Sequence, residues 1–289
     1  MPSWPRLTSI AAVLAALVCA GGLFYQARAD NHPLTRAPDG RPLTLTFADE
    51  FNTLRLRRGS EGVWRTTFGS SAEPTLDNRT IASNKELQIY ADPGLADRKG
   101  QPLGLNPFVV HDGLLDIVAD RASPAVAPEI AGHPFVSGLL TTQAAFSQTY
   151  GYFEARMKLP SGKGVWPAFW LLPADGSWPP EIDVMESIGD PAKVYATVHT
   201  KTMTTTGVEM HPGPGDFHTY AVAWDPKQIV FYIDGAETAR SATPADMHKP
   251  MFVLLNLAVG GSWPGSPDAD TPFPARLTID YVRAYQFGR

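Results

Sequence analysis

The chain of 289 residues holds a single cysteine, Cys19, and that one lies inside an apolar N-terminal run. A disulfide framework is therefore excluded, and with it the small stapled folds of oxidising compartments. Positive charge is also in short supply. Lys and Arg number 24 against 29 Asp and Glu, for a formal net charge of -5, so there is no electrostatic basis for holding nucleic acid. Few windows show a helical period of apolar residues, and there is neither an internal repeat nor a low-complexity segment. The apolar run Ile10 to Leu23 follows Arg6 and precedes Ala27-Arg28-Ala29. It is too short to prefer a membrane span and reads as a secretory leader ending in a small-x-small cleavage site. An uncleaved anchor is the alternative. A lipoprotein signal is disfavoured because Val18 stands where a small residue is wanted. The expected organisation is a signal peptide over residues 1–29, a polar, proline-bearing linker over 30–43, and one domain over 44–289. With the leader removed near Ala29, the protein is expected to be secreted or periplasmic, monomeric and without stable membrane association.

What the sequence has in quantity is turn formers and aromatics: Pro 27, Gly 25, and 10% aromatic residues with seven Trp. Strand-like runs separated by Gly, Pro, Asn and Asp recur at Leu43–Phe47, Leu87–Tyr90, Leu114–Ala119, Phe135–Thr142, Gly151–Leu159, Gly164–Leu172, Glu181–Ser187, Val194–His199, His218–Trp224, Gln228–Ile233, Met251–Val259 and Ala275–Gln286. Asp234-Gly235 marks a hairpin turn. This pattern predicts an all-β sandwich. In Tyr152–Leu159, the residues Phe153, Ala155, Met157 and Leu159 would face the core. Val165–Pro173 does not alternate in polarity, so both of its faces are expected to be buried or to line a cleft. Loops at 70–81, 92–108, 121–133 and 202–216 would wall a groove.

The densest chemistry is in Trp178-Pro179-Pro180-Glu181-Ile182-Asp183-Val184-Met185-Glu186, with three carboxylates in six residues and apolar or rigid flanks. On a strand, Glu181 and Asp183 share a face, whereas Glu186 would point the other way. One extra residue, a β-bulge between Asp183 and Glu186, restores the parity. Retaining glycoside hydrolysis needs two carboxyls about 5–5.5 Å apart, one as nucleophile and one as acid then base. A third carboxylate between them can hold a proton and keep their pKa values apart. At about 3.3 Å per residue the two Glu Cα atoms would sit roughly 13 Å apart, so the strand must curve and the side chains must lean together. A strand with a merely polar face, or a calcium-binding acidic cluster, is the competing reading of these six residues.

The run Tyr150–Arg156, Gly164–Trp170 and Glu181–Glu186 resembles glycoside hydrolase family 16, the laminarinases, lichenases, agarases and related endo-glycanases. Further matches are Asp49-Glu50-Phe51, Asn84–Tyr90, Phe217–Trp224, Leu255–Gly265 and Ile279–Gln286, so that the resemblance covers about residues 44–287. It implies a β-jelly-roll sandwich of two curved antiparallel sheets with a concave substrate cleft. Residue by residue it implies Glu181 as nucleophile, Glu186 as acid/base and Asp183 as the assisting carboxylate. The bulged six-residue form of the motif matches the laminarinase-like branches. His199 resembles the family histidine near the acid/base; an ordinary half-buried histidine is the alternative. Trp178 resembles the tryptophan beneath the subsite next to cleavage. Trp166, Trp170 and Trp263 are further candidates for sugar stacking, and Asn84 and Asn256 for holding sugar hydroxyls; core packing or turn capping would explain the same residues.

Glu50, Gly113 and Asp280 match positions at which some family members hold a structural calcium. No other cofactor is implied. Leu139 stands where many laminarinases carry Arg, which points toward the branch that trims bacterial exopolysaccharides such as succinoglycan. The expected function is thus a retaining endo-β-glycanase on β-1,3- or β-1,3-1,4-glucan or such an exopolysaccharide. A transglycosylase on the same polymers and a non-catalytic carbohydrate-binding module are the alternatives. Three crowded carboxylates argue against the module, since binding alone does not require them.

Overall fold

The computed structural model describes residues 32–69, 71, 75–201, 208–212 and 216–288. The expected leader, with Cys19, lies outside these residues, as do parts of the loops at 70–81 and 202–216. The chain divides into Met1–Leu34 and Thr35–Arg289. The described residues of the first unit, 32–34, have no regular structure. Among the described residues no helix is long and apolar enough to cross a membrane.

The second unit is built from strands. In chain order they are β1 (Leu43–Asp49), β2 (Gln88–Tyr90), β3 (Phe108–His111), β4 (Leu114–Arg121), β5 (Phe135–Ser137), β6 (Leu139–Thr141), β7 (Gly151–Lys158), β8 (Val165–Pro173), β9 (Glu181–Glu186), β10 (Val194–His199), β11 (Val208–Met210), β12 (His218–Trp224), β13 (Gln228–Ile233), β14 (Ala236–Ala242), β15 (Met251–Val259) and β16 (Ala275–Phe287). They form two sheets. The larger has the order β14-β13-β12-β7-β16-β4-β5-β2, with β1 added beside β16 and β3 beside β4; the smaller is β11-β10-β9-β8-β15-β6. Pairing is antiparallel except between β2 and β5.

The core lies between the sheets. Phe153, Ala155, Met157 and Leu159 point into it from β7 and its end, as their alternation requires, and Ile182, Val184 and Met185 enter from β9. Each large side chain so buried contributes about 1.5–3 kcal/mol. The unalternating β8 divides by parity: Val165, Phe169 and Leu171 enter the core, while Trp166, Ala168, Trp170 and Leu172 pack on the outer face of the small sheet. Both faces are apolar because both are covered, the first by the large sheet and the second by the walls of a cleft.

Two local departures from expectation have physical causes. The run expected as one strand over Phe135–Thr142 is two, broken at Gly138, because the chain there passes from the large sheet to the small one. A Cβ at Gly138 would lie 2.7 Å from the Phe108 ring and 2.9 Å from Ile117, so the crossing needs glycine. Residues 35–42 of the expected linker are packed. Arg36 bridges Pro42, Ala37 is buried against Tyr152, Tyr232 and Tyr285, and the Arg41 guanidinium lies 3.6 Å from the centre of the Phe287 ring.

Candidate active site

The motif strand β9 lies inside the small sheet between β8 and β10. Its register shows the bulge that the parity argument requires. Against β10, Asp183 faces Thr197 and Glu186 faces Tyr195, so three steps on β9 match two on its neighbour. Against β8, Trp170 faces Asp183 and Phe169 faces Met185, which locates the extra residue at Val184. Val184 and Met185 both turn into the core, and Glu181, Asp183 and Glu186 emerge together on the opposite face. There they line a cleft of about 830 Å³, with Trp166, Trp170, Trp178, Tyr195, His199 and Trp263 among its walls.

Each carboxylate has its own setting. Glu181 accepts a 2.6 Å hydrogen bond from the Trp178 indole N–H, and Glu186 accepts one of 2.9 Å from that of Trp166. Burial, and then the charge of Glu181, pushes the Glu186 pKa up to about 7, while the Trp166 N–H opposes the rise. Asp183 is almost wholly buried. Burial first, then the charges of Glu181 and Glu186 and a hydrogen bond to Glu181, hold its carboxyl well above the usual range. His199 faces Glu181 across the strands. Its Nε2 lies 3.0 Å from Asp183 Oδ2 and 4.0 Å from Glu181 Oε1. The Asp183 oxygen nevertheless accepts no aligned hydrogen bond, so the imidazole is a close neighbour of it rather than its donor.

The other expected binding residues fall into two groups. Trp178, 65% exposed, and Trp263, 43% exposed, present open faces to the cleft. Trp263 packs edge-on against Trp166 and Tyr195. Trp170 and Asn256 instead form the floor. Trp170 donates to Asn256 Oδ1 at 2.7 Å and Asn256 donates to the Tyr90 hydroxyl at 2.9 Å, which commits both ends of the amide. Asn84 stands at the rim, its amide 3.4 Å from Glu86.

Glu86 is the residue that sequence reasoning missed. It is buried, lines the cleft, and accepts from the backbone N–H of Ile81 and from Gln88, closing the loop that carries Asn84. Its carboxyl is raised by burial. Tyr195 and Thr197 were also missed, although period two from His199 puts all three on one face of β10.

The carboxylates expected to hold calcium each have an arginine instead. Both oxygens of Glu50 accept from Arg283, at 2.8 Å each, and Asp280 accepts from Arg156 at 2.7 Å. Gly113 sits with Asp112 in the left-handed turn between β3 and β4. A hard dication wants six to eight oxygens, and this set does not fit one. Among the described residues, Glu181, Asp183 and His199 offer donor atoms within 4.8 Å of one another. Two carboxyls and an imidazole fall short of the six to eight oxygens of a calcium site as well.

Fold and site define a jelly-roll protein with a carboxylate centre on the floor of an open cleft in its smaller sheet. The chain belongs to family 16 of the glycosyl hydrolases, whose model matches residues 109–283. It is 47% identical over 259 residues to the endo-1,3-1,4-beta-glycanase ExsH of Rhizobium meliloti (strain 1021), covering 88% of this chain and 54% of that protein. It is 38% identical to a beta-glucanase of Rhodothermus marinus, over 71% of this chain and 75% of the other. The solved endo-beta-1,3-glucanase of Pyrococcus furiosus superposes with a TM-score of 0.72 at 29% identity, covering 89% of this chain and 99% of that one. The chain thus spans about half the length of the rhizobial relative.

Proposed function

We propose that the protein is an endo-acting, retaining β-glycanase, secreted or periplasmic, which cleaves β-1,3- or β-1,3-1,4-linked glucan or a bacterial exopolysaccharide built on such linkages. The observation that carries this reading is the bulge at Val184, which sets Glu181, Asp183 and Glu186 on one face at the floor of an open cleft. In the first step a Glu181 oxygen attacks the anomeric carbon. The glycosidic bond breaks, its electron pair stays on the leaving oxygen, and that oxygen takes the Glu186 proton. In the second step the Glu186 carboxylate removes a proton from water, whose oxygen displaces Glu181 from the same carbon. Asp183, whose raised pKa favours the protonated form, is hydrogen-bonded to Glu181 and steadies the nucleophile. Trp178 and Trp166 fix one oxygen of each catalytic carboxylate, and no cofactor enters either step. The carboxylates stand in an open cleft rather than an enclosed cavity, which supports endo cleavage. The exposed large apolar residues of the sheets, Leu45, Val109 and Val208, lie on different strands, which supports a monomer.

The test is reducing-end release from laminarin, lichenan, agarose and succinoglycan by wild type and Glu181→Ala. The variant is expected to lose most of its rate with its fold intact, because no covalent intermediate can form. Azide then separates the roles. On an aryl glycoside, Glu181→Ala should yield the glycosyl azide of inverted configuration and Glu186→Ala that of retained configuration. Full activity in Glu181→Ala would overturn the assignment.

A further inference from the structure

Of the four carboxylates that line the cleft, only Glu86 takes no part in the two steps above. It is 7% exposed, and every group it bonds is a neutral donor. Its Oε2 accepts from the Ile81 backbone N–H at 3.1 Å and from the Gln88 amide at 2.7 Å. Its Oε1 has only the Asn84 amide, at 3.4 Å, longer than a good N–H···O bond. Burial raises its carboxyl, and only these three neutral partners oppose the rise. Tying the loop does not call for this charge. A glutamine carbonyl oxygen would accept both Oε2 bonds, and a carboxylate buried without a cation is costly. The charge, and an Oε1 with no close donor, are surplus to the structural task.

The backbone places Glu86 in the cleft. Gly260 N–H donates to the Gly164 carbonyl at 2.7 Å, on the β8 flank of β15. Val259, one residue back, therefore turns its backbone groups to the opposite flank. There its carbonyl accepts from Leu87 N–H at 2.8 Å, and its N–H donates to Gln88 Oε1 at 2.7 Å. Residues 86–88 thus lie one place beyond β15. From β9 the order is β8, β15 and then this segment, so three strand spacings, roughly 14 Å across the sheet, separate Glu86 from the strand of Glu186. A sugar at Glu86 is not the one whose bond breaks. Ser262 N–H donates to the Asn84 carbonyl at 2.7 Å, which fixes this rim against the loop that carries Trp263.

We propose that Glu86 Oε1 and the Asn84 amide form a hydroxyl-binding subsite, remote from the scissile bond, that takes two adjacent ring hydroxyls of a neutral sugar. The carboxylate accepts from one hydroxyl, and the amide donates to or accepts from its neighbour. The inference rests on the glycanase reading and narrows its substrate. In a glucose substituted at O4, the hydroxyls at C2 and C3 are free and adjacent. In one substituted at O3, no two free ring hydroxyls are adjacent. The subsite therefore selects a β-1,4-substituted sugar at this position, and its uncompensated negative charge disfavours an acidic one.

The probes are lichenan, which has both linkages, and laminarin, which has a β-1,3 backbone, used with wild type, Glu86→Gln and Asn84→Ala. Wild type is expected to show kcat/KM about tenfold higher on lichenan, the size of one charge-assisted hydrogen bond. Glu86→Gln keeps both ties of the loop and should lose that advantage through KM. Asn84→Ala should lose part of it. Equal proportional losses on the two polymers in Glu86→Gln would make the residue a tie of the loop only. A wild type that prefers laminarin, or neither polymer, would overturn the subsite. Affinity electrophoresis of Glu181→Gln, with and without Glu86→Gln, reads the same preference as retardation without turnover. If wild type cuts nothing, the glycanase reading fails, while the subsite is still decided by retardation: stronger by lichenan supports it, and equal or absent retardation overturns it.

Discussion

Glu186 has to give up a proton at the pH at which the enzyme works, and its environment is arranged for that. With its pKa pushed up to about 7, it is protonated on the acid side of neutrality and the first step loses its acid as pH rises through that value. The alkaline limb of kcat/KM is expected near pH 7 for this reason. The Trp166 N–H favours the ionised form, so Trp166→Phe should move that limb to higher pH, by about one unit for the loss of one charge-assisted hydrogen bond. A pH profile of the variant that superposes on the wild-type profile after scaling would refute the link. The shared face of the three acids was legible in the sequence because their relation is local, set by parity and one bulge, whereas His199 was named only through the family resemblance. Glu86 was not legible, because its partners Ile81 and Gln88 reveal a closed loop only after the chain has folded back onto Val259. The bonds of Asn256, a candidate for sugar hydroxyls or a turn cap, were not legible either, because its partners Trp170 and Tyr90 come from two other strands.

At the scale of elements, β9 shows how one inserted residue serves two demands. Its apolar residues enter the core and its acids leave it, and the bulge at Val184 lets both hold across an odd spacing. Gly138 has a similar place on the other side of the cleft. Gly138→Ala would force a methyl against Phe108 and Ile117 just where the chain changes sheets. Overpacking of this kind costs about 1–3 kcal/mol, which is several degrees of Tm in a domain of this size. Thermal unfolding of the variant is the measurement, and an unchanged Tm would mean that the crossing relaxes. Eleven of the twelve strand runs named from the sequence carry buried residues, and the other, Leu43–Phe47, is legible through the half-buried Leu43 and Phe47. The strands that sequence reading did not name lack a buried face or are very short. β14 is exposed at most positions and β11 has three residues, and these two close the edges of their sheets. An edge strand is specified by its neighbour's backbone more than by its own apolar pattern, so it leaves little trace in the sequence. The partners of β3 and the break at Gly138 are likewise tertiary facts.

At the scale of the whole molecule, the buried arginine of the large sheet is balanced within the chain. Arg283, only 2% exposed, is held by both oxygens of Glu50 and lies 4.0 Å from Glu154. Since guanidinium groups occupy the carboxylates that were expected to bind calcium, EDTA should leave Tm unchanged. A resident ion at a hundredfold its Kd would add about 2.7 kcal/mol, worth several degrees, so a clear fall on chelation would return calcium to the fold. The same sheet brings the two ends of the described domain together. Leu43 pairs with Phe287, Gly288 donates to the Pro42 carbonyl at 2.8 Å, and Arg41 covers the Phe287 ring. A polypeptide closed in this way is nearly a ring. Its architecture does not depend on which loop is left open, so the segment at Pro42 could be joined to Gly288 and the domain cut at the Asp234-Gly235 turn without removing any of the described strands from either sheet. The groove, carried on the other sheet, would keep its place in the reordered molecule.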